Sequence, residues 1–287
     1  MTASGLTIGQ CASLACLLEA TAGKPGNVHR GADFEDVTYL DFATSAVVIA
    51  PAFEAAAAGA RLGETVLAAV AATRAAVGTN TNLGTILLLA PLAMTPETAP
   101  LAEGVARVVA GLNADDARLV YRAIGLAEPG GLGQVDQADV RGKPPENLLA
   151  AMRLAAERDL VAKQYVNQFA EVLGKVVPWL DDGQRQGWRL SDTIVATHLR
   201  LMSEFPDSLI RRKCGDETAQ RAATGATVAL AAGKPGDDGY HRAVADLDFW
   251  LRADGHRRNP GTSADLVAAG LFAALRDGII RLPIRFY

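Results

Sequence analysis

The feature that most restricts how this chain folds is the spacing of its apolar residues. They recur three and four positions apart in segment after segment, on an alanine-rich background. That period matches an α-helical turn and gathers the apolar side chains on one face, whereas the two-residue alternation of a half-buried strand is nearly absent. It predicts an all-α protein, with helices near 7–21, 37–60, 63–77, 82–94, 100–111, 114–126, 146–178, 190–204, 208–233, 239–254 and 263–277. The 146–178 stretch is long enough for two helices. With 287 residues, 49% of them hydrophobic, the chain can bury a large core. No fixed-period repeat or low-complexity tail divides it, so the simplest reading is one multi-helix globular domain over 1–287. Alanine-rich helical faces suit a homodimer.

The formal net charge of -4 argues against general attraction to nucleic acid or to anionic membranes, while leaving room for a local basic pocket that holds phosphates. Met1–Gln10 has neither a basic start, an apolar run nor a small-residue cleavage site, which points to a cytoplasmic protein. The apolar runs 46–60 and 85–93 fall short of the roughly 20 residues needed to cross a bilayer and read as buried helices. Cys11, Cys16 and Cys214 lack paired CxxC spacing and read as reduced structural thiols.

Gly, Pro, Asn and Asp collect between the helices, and polar loops at helix N-termini are the candidate site. Gly23–Arg30 carries Lys24, His29 and Arg30 around Gly26 and Asn27, a set that can hold polyphosphate oxygens or be a solvent-facing turn. Asp33, Glu35 and Asp36 supply hard oxygen ligands for Mg²⁺ beside a triphosphate, and equally suit the start of the helix near 37. Gly78–Thr85 runs Asn80, Thr81, Asn82 and Gly84 into an apolar helix, where backbone amides attract an anion, although the P-loop pattern is missing. Asn259–Leu266 again opens an apolar helix: Gly261, Thr262 and Ser263 precede Asp265, with Thr262 and Ser263 as N-cap candidates. Glu204–Gly215 places Arg211, Arg212 and Lys213 after Asp207, either a solvated face or a clamp on phosphates. The long loop 128–145, with Gly130, Gly131 and Gly133, is a flexible cover over the site or a linker.

Taken in order, these segments resemble the triphosphoribosyl-dephospho-CoA synthase family, whose loops read approximately KPGxVxR, GGVNTHxG, DDTNLxxRGG and SPGGSADLL. Lys24, Pro25, Gly26, Val28 and Arg30 match the first; Asn80, Thr81 and Gly84 the second; Leu209 and Arg212 the third. Pro260, Gly261, Ser263, Ala264, Asp265 and Leu266 match the last. The family's second-loop His and Lys are Asn82 and Leu83 here, its third-loop acidic pair is Phe205 and Pro206, and the glycines after its Arg are Lys213 and Cys214.

The resemblance implies a transferase in which the 2′-hydroxyl of 3′-dephospho-CoA displaces adenine from ATP. It makes Asp265 and Asp36 the candidate catalytic carboxylates. Lys24, Arg30, Arg212 and Mg²⁺ would hold the triphosphate, with Asp33, Asp36 and Asp207 as metal ligands. The departures motivate a second reading, a related ribosyltransferase forming an α-ribosyl link in another cofactor pathway, such as methanopterin-type biosynthesis, and the polar loops at several helix starts fit a third, a nucleotide-binding protein without turnover.

Overall fold

The computed structural model describes residues 2–128 and 147–287, which form fifteen α-helices, one π-helical turn and one four-residue extended segment. In chain order the helices are α1 (Ile8–Thr21), α2 (Tyr39–Val48), α3 (Ala50–Ala57), α4 (Leu62–Val77) and α5 (Leu83–Ala93). Next come α6 (Leu101–Ala110), α7 (Ala114–Ala127), α8 (Leu148–Ala155), α9 (Leu160–Val166) and, after the π-turn Val172–Val176, α10 (Val177–Arg185). The last five are α11 (Leu190–Glu204), α12 (Ser208–Cys214), α13 (Asp216–Ala231), α14 (Asp238–Arg252) and α15 (Gly261–Arg276), the last preceded by the extended Ala253–His256. The all-α expectation holds.

Two helices organise the interior. α5 is apolar around its whole circumference, and every residue from Thr85 to Ala93 is buried; a helix without a polar face has to be enclosed by others. α15 is nearly as buried and packs against α1, α5, α10 and α11, so its polar first turn is held deep in the protein. A second, smaller cluster joins α11 to α14 around Leu199, Ile210, Tyr240, Leu247 and the alanine stripe Ala219, Ala222, Ala226 and Ala229 of α13. Trp250 sits on that cluster between Arg221 and Arg258, whose guanidinium carbons lie 4.6 and 4.8 Å from the ring centroid.

Capping follows the sequence signals in part. Asn113 Oδ1 accepts from the amides of Asp115 and Asp116 and starts α7, as expected. Thr262 and Ser263, expected as N-caps, instead lie inside the first turn of α15, because the helix begins at Gly261 directly after Pro260. Three long periodic stretches are broken. The 37–60 stretch divides at Ile49, just before Pro51, whose ring cannot continue the α2 hydrogen-bond ladder. The 208–233 stretch divides at Gly215, which takes a positive φ of 87°. The 146–178 stretch becomes α8, α9 and the π-turn. The division of 146–178 agrees with its length, whereas the apolar pattern runs straight through the breaks at Ile49 and Gly215.

Of the apolar runs expected to be buried, 85–93 is, but 46–60 buries only Ala46, Ile49, Ala52, Phe53 and Ala56 and exposes Val47; it overlaps the helical stretch Tyr39–Ala57. By length and composition alone, that 19-residue stretch is the one among the described residues able to cross a membrane. The expected cover at Gly130–Gly133 lies outside the described residues. Cys11, Cys16 and Cys214 are all free thiols.

Candidate active site

The first turns of α5 and α15, the cap of α9 and the basic end of α12 converge on a cavity of about 600 Å³. Asn27, Asn80, Thr81, Asn82 and Gly84 line it from the first two polar loops. Asp36, Arg212, Lys213, Gly261, Thr262 and Asp265 complete the set of anticipated residues that the fold brings together. Four segments separated by more than 200 positions in the chain thus meet because α5 and α15 pack side by side in the core.

Asp265 is the most perturbed group in the cavity. Its carboxyl accepts a hydrogen bond from Thr85 Oγ1 at 2.7 Å, and among the described residues no ion pair compensates its burial, which pushes its pKa up to about 8 and favours the neutral form. Gly84 is required by this contact: a Cβ there would come within 2.0 Å of Asp265 Oδ2. The cavity also holds two buried amides with an unpartnered atom, Asn82 Nδ2 and Asn27 Oδ1, while Asn27 Nδ2 donates to Asn259 Oδ1 at 2.6 Å. A buried donor or acceptor without a partner costs about 1–3 kcal/mol, so these two atoms are open to a further hydrogen bond. Asn80 has a plain structural task, its Oδ1 accepting from Leu83 N at 3.1 Å to start α5, and Thr81 Oγ1 lies 2.6 Å from Ser45 Oγ.

The cationic side comes from the last turn of α12. Arg212 Nη1 pairs with Asp159 Oδ2 at 3.2 Å, and Arg211 pairs with Asp216. Lys213 makes no ion pair among the described residues; burial and the neighbouring Arg212 lower its pKa, the state of a cation waiting for an anion. Asp207 sets this arm in place. One oxygen accepts from the amides of Leu209 and Ile210, capping α12, and the other from Ser263 N and Oγ at 2.7 and 2.8 Å, capping α15. Ser208 Oγ donates to Thr262 Oγ1 at 3.0 Å beside it. Asp207 is 1% exposed, and burial raises its pKa despite these four donors.

Several expected ligands lie elsewhere. Asp207 is no metal ligand, since both its oxygens serve the two helix starts, and Ser263, fully buried, is spent on Asp207. Asp33 lies outside the cavity, its Oδ1 accepting from Tyr39 N at 2.6 Å at the start of α2. Lys24 is fully buried: its ammonium folds back onto the end of α1, donating to the carbonyls of Glu19 and Ala22 and pairing with Glu19 Oε1 at 2.8 Å. Lysine there satisfies the last carbonyls of the helix and neutralises a carboxylate in the cavity wall. Gly26 has φ +77° and leaves no room for a Cβ, which would meet Leu251 and Pro260 at 2.9 Å; its amide donates to Asp248. His29 Nδ1 accepts from Gly31 N, and Arg30 stacks over Tyr287, its guanidinium carbon 5.1 Å from the ring centroid; neither lines the cavity. The KPG loop thus supports the wall instead of binding phosphate.

Among the described residues no group of three His, Cys, Asp or Glu side chains could enclose a metal ion, so the set Asp33, Asp36 and Asp207 does not form a cage. A Mg²⁺ carried on a triphosphate needs only one or two protein carboxylates. Asp36, exposed at the cavity with His256 Nδ1 at 3.0 Å from its Oδ1, fits that lesser requirement.

The cavity also contains residues that the loop motifs did not disclose: Glu19, Tyr121, Arg158, Asp159 and His256. Glu19 had a signal, as the lone acid in the otherwise uncharged α1, and Asp159 had one as an N-cap before Leu160. Tyr121 and Arg158 had none.

The sequence model of CitG, ATP:dephospho-CoA triphosphoribosyl transferase, matches residues 6–282, nearly the whole chain. The chain belongs to this family. It is accordingly a transferase, and the triphosphoribosyl-dephospho-CoA synthase resemblance read from the four loops is correct. Among solved structures, an Archaeoglobus fulgidus protein assigned as a triphosphoribosyl-dephospho-CoA synthase is similar at 26% identity and a TM-score of 0.63, over 82% of this chain and 99% of that one. No curated protein matches at a significant level. Within the triphosphoribosyl transferase family frame, Asn82, whose buried Nδ2 has no partner, occupies the second-loop His position, and Lys213, which makes no ion pair among the described residues, occupies a glycine position.

Proposed function

We propose that the cavity binds ATP and 3′-dephospho-CoA together and transfers the 5′-triphosphorylated ribosyl group of ATP to the 2′-hydroxyl of the acceptor. The acceptor oxygen forms a bond to C1′ as the C1′–N9 bond breaks, adenine leaves with that electron pair and takes up a proton, and the hydroxyl gives up its own. The observation that carries this reading is the buried Asp265, held by Thr85 in the same cavity as Lys213 and two amides with an unpartnered atom. A carboxyl neutral at pH 7 is a proton donor, which suits the departing adenine. Asp36, beside His256, is the group suited to accept the hydroxyl proton.

Lys213 and Arg212 would bind the triphosphate, placing positive charge where the negative charge lies. Asn82 Nδ2 and Asn27 Oδ1, a buried donor and a buried acceptor, suit the ribose hydroxyls. Mg²⁺, when it arrives with ATP, would be held mainly by the phosphates and would neutralise their charge, leaving Asp36 to take the proton. The test is adenine release from Mg-ATP, followed by chromatography, with and without dephospho-CoA. Release that requires dephospho-CoA supports the reading; ATP binding without release, at any acceptor concentration, refutes it.

A further inference from the structure

The cavity is chemically two-sided. One part is the cationic arm and the helix starts described above. Helices α7, α8 and α9 add an apolar patch, Ile124, Leu148, Ala151, Met152, Ala155 and Val161, beside the polar Tyr121, Glu128 and Arg158, and it adjoins the cationic arm where Asp159 pairs with Arg212. None of the six apolar side chains offers a hydrogen bond or a charge. That composition cannot read the edge of a base or bind a phosphate, each of which would be left desolvated without partners. It can bind methyl and methylene groups, and Met152, unbranched and adaptable, suits a flexible chain.

The two substrates of the proposed reaction differ in one respect that matters here. Both contain adenosine 5′-diphosphate; the donor adds only a phosphate, whereas the acceptor adds the pantetheine tail with its geminal dimethyl and ethylene groups. A site that binds both in distinct places must sort them by those additions. We propose that the α7–α8–α9 wall seats the pantetheine tail of the acceptor and that Ala151 and Met152 set acceptor specificity. The assignment rests on the reading of the reaction given above.

Two variants test it: Ala151→Phe, which fills the space at the wall, and Met152→Gln, which makes it polar with little change in volume. Each is assayed for adenine release at varied dephospho-CoA and at varied ATP, with free pantetheine as an added inhibitor. The expected result is a rise of about tenfold in KM for dephospho-CoA, equivalent to about 1.4 kcal/mol, with KM for ATP within twofold of the parent. In the parent, pantetheine competes with dephospho-CoA and not with ATP. An equal rise for ATP in both variants, or an unchanged KM for dephospho-CoA in both, overturns the assignment. The parent enzyme separates the two claims: no dephospho-CoA-dependent release by the parent overturns the reaction itself, whereas release by the parent with unaltered variants overturns only the seat of the tail.

Discussion

Replacing Asp265 with Asn should abolish most activity while stabilising the protein, and the stabilisation should grow with pH. The ordinary value of the group is 3.8, and burial pushes it to about 8. Below pH 4 the folded and unfolded chains both carry the proton, and the group costs nothing. Between pH 4 and pH 8 only the folded chain keeps it, so stability is lost as pH rises, reaching at most about 6 kcal/mol above pH 8. Asn pays no such cost and can keep the Thr85 hydroxyl as a partner, but its NH₂ has no partner, at about 1–2 kcal/mol. The two terms are of similar size near pH 5, so parent and variant should melt together there. At pH 8.5 the variant should be ahead by roughly 4 kcal/mol, or about 7 °C in Tm for a chain of this size. Adenine release should fall by about 10²–10⁴-fold with the proton donor gone. The assay is thermal unfolding by circular dichroism at pH 5, 7 and 8.5, with turnover measured on the same samples. A Tm difference that does not change with pH would refute the protonated state of Asp265, and unchanged turnover would remove it from the chemistry.

Other substitutions separate support from binding. Asp207→Ala should cost about 3 kcal/mol by uncapping α12 and α15 at once, seen as a lower Tm that added Mg²⁺ does not restore. Lys24→Met should cost a similar amount, about 3 kcal/mol, by leaving Glu19 unpaired in the wall; loss of ATP affinity without loss of Tm would contradict this placement. Lys213→Met should leave Tm unchanged and weaken ATP binding by roughly tenfold, less so at high salt, as measured by calorimetric titration. Asn82→Leu should gain about 1 kcal/mol in stability, because an unsatisfied buried donor is removed, while KM for one of the two substrates rises.

The sequence read the helical class and most helix positions correctly, because an apolar period of three and four residues has one structural meaning. It failed where a helix breaks without losing its apolar pattern, at Ile49 before Pro51 and at Gly215. The site was half legible. Polar loops opening α5 and α15 were recognisable from Asn80–Gly84 and Gly261–Asp265, and all of those residues but Ser263 line the cavity. Lys24 misled, since a lysine in a Gly-Pro-Gly turn has the composition of a phosphate loop, and only the fold shows its side chain turned inward onto Glu19. Asp207 misled in the same way: a buried carboxylate holding two helix starts and one binding a metal look alike in sequence. The α7–α9 wall was invisible, because residues such as Leu148 and Met152 read as ordinary core until the cavity beside them is seen.

The most direct test of the account follows both products of one turnover: adenine by chromatography and the acceptor by mass spectrometry, with Mg-ATP and dephospho-CoA supplied together. The account predicts one adenine released for each dephospho-CoA that gains a triphosphoribosyl group, with both products lost together in Asp265→Asn. Adenine appearing without modified dephospho-CoA, or neither product appearing, would contradict it.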